Sequence, residues 1–111
     1  MTRDEERLIE WECQRVLRQY YLYVDQREYE KAANLFTPDV EWEALGVHLK
    51  GRDEILKGLV GGLAKGTIRH VITNTIVDVI DENHATSKSY NADYYEPGVR
   101  VEDSDGPVPF E

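Results

Sequence analysis

The feature that most limits how this chain can fold is the run GTIRHVITNTIVDVI at residues 66–80. Valine, isoleucine and threonine dominate it. Side chains of that kind are stiff at χ1 and suit a pleated, half-buried surface. The spacing predicts a strand from about Thr67 to Ile80, a turn at DENH, and a returning strand from about Ala85 to Tyr95. By the two-residue period, His70, Ile72, Asn74 and Ile76 share one face, and Arg69, Val71, Thr73, Thr75 and Val77 the other. An imidazole and a carboxamide on one otherwise apolar face place a polar pair where the strand meets a pocket.

Helices precede these strands. Leu8 or Ile9, Trp11 or Cys13, Val16, Leu17, Tyr20, Tyr21 and Val24 recur at three- and four-residue steps, which predicts an amphipathic helix over residues 4–24. Asp4, Glu5 and Glu6 sit in its first turn, where the helix dipole favours negative charge. A second, shorter helix carries Tyr29, Ala32, Ala33, Leu35 and Phe36 on one side and closes at Pro38. Val40, Trp42 and Ala44 alternate with Glu41 and Glu43 as a half-buried strand, Gly46 turns, and Val47 to Leu49 return. A third helix, GRDEILKGLVGGLAKG, buries Ile55, Leu56, Leu59 and Val60, with Gly61 and Gly62 ending it. Helices followed by antiparallel strands predict an α+β domain with the helices on one face of the sheet. Its 111 residues make one domain, with an ordered core at about 4–96 and an irregular tail at 97–111, where Pro107 and Pro109 block strand pairing.

Charge and composition exclude several functions. There are 22 acidic against 13 basic residues, a net charge of -9, and no cluster of Lys and Arg. Nucleic acid and anionic membrane surfaces are therefore not expected partners. No apolar run approaches the length of a membrane span, and the opening MTRDEERLIE is charged where a leader would be apolar. Cys13 has no second cysteine to pair with, which fits a cytoplasmic location and the bland role of a small core residue.

The remaining polar candidate is Asp25. It lies four residues after Tyr21 and continues the stripe of Leu17, Tyr20, Tyr21 and Val24, so both side chains face the same way. A carboxylate on a buried stripe is costly without a partner, and His70 is available. Three readings of that pair stand at this level. His70 and Asp25 satisfy each other as core groups, or they work as a catalytic dyad, or they belong to a site that binds a small molecule without turning it over. A non-catalytic oligomerisation domain of the same fold is the remaining alternative. His48, in the short hairpin, and His84, in the turn, read as solvated, and no spacing motif supports a metal site.

YYLYVDQREYEKAANLFTPDVEWE, then GRDEILKGL, then RHVITN, in this order and spacing, resemble the SnoaL-like branch of the nuclear transport factor two-like superfamily. That branch is similar to scytalone dehydratase, polyketide cyclases and hexachlorocyclohexane dehydrochlorinase. The likeness covers about residues 6–95. It implies a cystatin-like, cone-shaped α+β barrel, with three N-terminal helices packed on a curved antiparallel sheet. It also implies a pocket holding an Asp–His pair, which falls on Asp25 and His70. The implied chemistry is elimination, isomerisation or aldol-type cyclisation on a small apolar or polyketide-like molecule, none of which requires a cofactor. A neutral imidazole can take a proton near pH 7, and a carboxylate on its other nitrogen fixes the tautomer. Tyr21 and Tyr90 are candidates to hydrogen-bond a developing oxyanion, Asn74 to orient the substrate, and Trp42 to line the pocket. The family pattern continues with two further strands, the last carrying a Trp and an Arg, where this sequence has its proline-rich tail. The expected consequence is an unpaired sheet edge, covered by a second copy in a dimer or trimer or left beside an open pocket.

Overall fold

Both ends of the first helix are built by specific bonds, and the far end matters most because it aims Asp25. A computed structural model of the protein describes residues 1–44, 46–62 and 66–97. Helix α1 spans Arg3–Asp25. At its start, Thr2 Oγ1 accepts from the Glu5 N–H at 3.1 Å, and Glu5 Oε1 accepts from the Thr2 N–H at 3.2 Å. This reciprocal capping box satisfies two amides that the helix leaves without partners. It also holds the Glu5 carboxyl below its usual range, because the Thr2 hydroxyl and then the Thr2 amide bond the charged form. At the other end, Arg27 takes φ 60°. Its N–H donates to the Val24 carbonyl at 3.0 Å, and the Glu28 N–H donates to the Tyr23 carbonyl at 2.9 Å. Those two bonds make a Schellman termination with arginine where glycine is usual. The helix therefore stops at Asp25, whose side chain leaves from the last turn.

Helix α2, Tyr29–Ala33, packs against α1 and α3 and buries Ala32 and Ala33. It is shorter than the sequence pattern predicts. The chain turns after Ala33, so Leu35 and Phe36 reach the interior from turns instead of a helix face. Strands β1, Glu41–Ala44, and β2, Val47–Lys50, pair as an antiparallel hairpin with Trp42 opposite Leu49. Gly51 follows directly at φ 82° and donates its N–H to the Val40 carbonyl at 2.8 Å. That left-handed link suits glycine and turns the chain into α3, Gly51–Gly62. Arg52 Nε donates to the Phe36 carbonyl at 2.7 Å, tying α3 to the loop after α2. Ile55 is the buried anchor of α3, whereas Val60, expected inside, is exposed.

The long strands are β3, Gly66–Asp81, and β4, His84–Pro97, a second antiparallel pair. Among the described residues no third strand joins either pair. Helix α1 lies against β3, so helices and antiparallel strands form the expected α+β arrangement. Of the tail expected at 97–111, Pro97 belongs to β4, and residues 98–111 lie outside the described residues. No helix among the described residues is long and apolar enough to cross a membrane.

The strict two-residue alternation along β3 is corrected by the register. Thr73 is opposite Tyr90 and Ile76 is opposite Lys88, so Asn74 and Thr75 together face one residue of β4. This β-bulge has Asn74 in the left-handed region at φ 55°. One extra residue flips the faces beyond it. Ile76 therefore does not share the face of His70 and Ile72; it is exposed, and Val77 turns inward and is buried. Helix α1 is corrected in the same way. Leu8, Trp11 and Val16 are exposed, and its inward stripe runs through Ile9, Cys13, Leu17, Tyr20, Tyr21 and Val24.

Candidate active site

The Schellman turn and the near half of β3 bring Asp25 and His70 together. His70 Nδ1 lies 2.5 Å from Asp25 Oδ1, and the His70 backbone N–H donates to Asp25 Oδ2 at 3.1 Å. One carboxylate thus holds both the ring and the strand backbone of the same residue. The side chains are 12% and 11% exposed. In the tautomer protonated at Nδ1, the ring donates to this carboxylate and Nε2 carries the lone pair.

Tyr21 joins the pair from the preceding helical turn. Its ring lies 4.8 Å from the imidazole, centroid to centroid, tilted by 43°. Its hydroxyl accepts from Asn91 Nδ2 at 3.1 Å. Tyr20 stands edge-on to Tyr21 at 5.0 Å and to Phe36 at 5.1 Å. Burial, and then the neighbouring Tyr21, push the Tyr20 hydroxyl up to about 12, so it stays a neutral donor at any working pH.

Two hollows adjoin this aromatic wall. One, of about 200 Å³, is lined by Val16, Leu17, Tyr21, Leu35, Tyr20 and Trp42, with Phe36 beside them. The other, of about 280 Å³, lies between the β1–β2 hairpin and α3 and shares Tyr20 and Trp42 with the first. Among the described residues, no lysine or arginine lines either one. The dyad lines neither; Tyr21 is the link, with its ring against His70 and its body in the wall of the smaller hollow.

The other sequence candidates separate. Trp42 lines both hollows. Asn74 is exposed in the bulge, where its contribution is a backbone conformation. Tyr90 pairs with Thr73, on the face away from His70, and is 71% exposed. His48 meets Glu43 at 3.3 Å, and His84 meets Asp81 at 2.9 Å, both pairs open to solvent. Among the described residues no group of three or more His, Cys, Asp or Glu is placed to hold a metal.

Sequence reasoning missed Asn91 and Asp93. They lie opposite Ile72 and His70, on the dyad's face of β4. Asp93 Oδ1 is 3.8 Å from His70 Nε2, and its side chain is 52% exposed. Counting back residue for residue from the Asp81–His84 pair would set His70 against Tyr95. Two irregularities, between Thr73 and Ile76 and between Val79 and Asp81, bring Asp93 there instead.

The sequence profile of the SnoaL-like domain matches residues 5–105. The chain belongs to the SnoaL-like family. Its fold, helices followed by antiparallel strands, is shared with several solved structures. A protein of Novosphingobium aromaticivorans assigned as a scytalone dehydratase is 24% identical, with a TM-score of 0.80 over 89% of this chain and 68% of that one. ActVI-ORFA of Streptomyces coelicolor is 20% identical, with a TM-score of 0.66 over 87% and 73% of the two chains. Aln2 of another Streptomyces strain is 19% identical, with a TM-score of 0.67 over 83% and 74%. Among curated proteins, none matches this SnoaL-like chain.

Proposed function

We propose that this SnoaL-like protein is a cofactor-independent lyase or isomerase, a dehydratase, cyclase or isomerase in type. Asp25 and His70 are its acid–base pair, and its substrate is a small, uncharged, largely apolar or polyketide-like molecule. The observation that carries the reading is the double hold of Asp25 on His70, nearly closed to water and walled by Tyr21. A carboxylate there keeps the imidazole in one tautomer and stabilises the imidazolium formed when Nε2 takes a proton. Tyr21 donates to oxygen as charge develops, and Tyr20 and Trp42 hold the apolar body of the substrate. The likeness to a protein assigned as a scytalone dehydratase supports the lyase class.

Absorbance assays on a panel of small hydroxylated aromatic ketones test this. Asp25→Asn and His70→Ala are expected to lower turnover by about a hundredfold or more with the fold retained by circular dichroism. Wild-type rates in either variant would end the reading. A second reading has its own support: the dyad lines neither hollow. A molecule could then be held at Tyr20 and Trp42 without being changed. That outcome would appear as a saturable thermal shift, equal in wild type and His70→Ala, with the ligand recovered unaltered by mass spectrometry.

A further inference from the structure

We propose that Asp93 is a positioning residue that carries protons between His70 Nε2 and bulk water. The inference rests on the reading of Asp25 and His70 as a working pair, and it extends that pair to a third group. Any proton that Nε2 collects must leave before the next cycle. The ring is poorly placed to lose it directly, because only 12% of the His70 side chain is exposed. Nδ1 is no exit, since Asp25 Oδ1 occupies it. Tyr21 covers the ring from one side.

Asp93 is directly across the ladder from His70, and its half-exposed carboxylate reaches from the ring to solvent. At 3.8 Å, Oδ1 is too far for a direct hydrogen bond to Nε2. A small side-chain rotation or one bridging water spans the gap. The step balances simply. Imidazolium and the Asp93 carboxylate become neutral imidazole and a carboxylic acid, and the acid then passes the same proton to water. Run backwards, the path loads Nε2 for donation to a leaving group. Asn91, two residues away on the same face, is held by the Tyr21 hydroxyl and has no ionisable group to compete.

The test reads His70 itself and needs no substrate. In the full-length, ¹⁵N-labelled protein, exchange of the His70 ring N–H protons with water is measured by NMR for wild type, Asp93→Asn and Asp93→Glu. Asp93→Asn is expected to slow exchange by about tenfold or more, within the range that positioned acid–base groups supply. Asp93→Glu restores it, and formate added to Asp93→Asn restores it in proportion to concentration. Equal exchange in Asp93→Asn and wild type overturns the proposal, as does an Asp93→Glu as slow as Asp93→Asn. Should Asp93→Asn lose its fold, Asp93→Ser with and without formate gives the same decision. Because turnover is not the readout, failure of the catalytic reading and failure of the relay are told apart.

Discussion

The two halves of the long β3–β4 hairpin are made of the same kinds of residue and behave differently. In the near half, before the bulge, β3 lies against α1 and one carboxylate grips His70 by ring and backbone. In the far half, β3 keeps Val77 as its buried anchor, while Ile76 and Ile80 are exposed. Both halves are rich in valine, isoleucine and threonine, so apolar content does not separate them. What separates them is a polar contact of fixed geometry. A two-residue slip keeps apolar side chains on their own face, but it takes His70 away from a carboxylate that meets both its Nδ1 and its backbone N–H. The Asp25–His70 contact therefore also fixes where the near half of β3 sits against α1.

The largest effect that would break this contrast is loss of the grip itself. Asp25→Ala leaves the His70 ring and its backbone N–H without their partner in a nearly closed site. It is expected to cost about 3 kcal/mol in urea unfolding, the scale of breaking a buried pair. Asp25→Asn, which can still bond the ring and backbone, should cost distinctly less. An Asp25→Ala variant as stable as wild type would mean that the contact does not hold the near half of β3.

The next test sharpens the comparison inside the far half. Val77→Ala removes buried methyl groups and is expected to cost about 2 kcal/mol, whereas Ile76→Ala, at an exposed position, should stay within about 0.5 kcal/mol. A strand without the bulge would reverse this order. Finding Ile76 the costlier of the two would show that the faces do not flip.

Most of the fold is legible in the sequence, and the reasons are local. The stripe of α1, the alternation around Trp42 and the run from Thr67 each report a period set by backbone geometry. Asp25 and His70 are legible for a related reason, since each is a polar residue on an otherwise apolar face. What is not legible depends on single-residue departures from those periods. Arg27 ends α1 in a conformation usually marked by glycine, so the helix end carries no strong signal. Asn74 and the irregularity after Val79 alter the pairing of everything beyond them, away from the turn. Asp93 and Asn91 come opposite His70 and Ile72 through those shifts, whereas Tyr90 falls on the other face with or without them. Periodicity arguments place faces well until one residue breaks the count.

That makes Asn74 the most informative of the small perturbations. Asparagine enters the left-handed region with little strain because its short polar side chain bonds locally, whereas a β-branched residue is opposed there by its own Cβ substituents. Asn74→Gly should leave stability within about 0.5 kcal/mol of wild type, since glycine adopts φ near 55° freely. Asn74→Val should cost about 1 kcal/mol. Its cheapest escape is to close the bulge, which slides β3 by one residue and turns Val77 outward. Cross-strand NMR contacts between Ile76 and Lys88 follow that directly, because the pair is in register only while the bulge exists. A valine variant as stable as the glycine variant, with that contact intact, would mean that the backbone at residue 74 is not held left-handed. The contrast between the half gripped at His70 and the half that turns Val77 inward would then need a different cause.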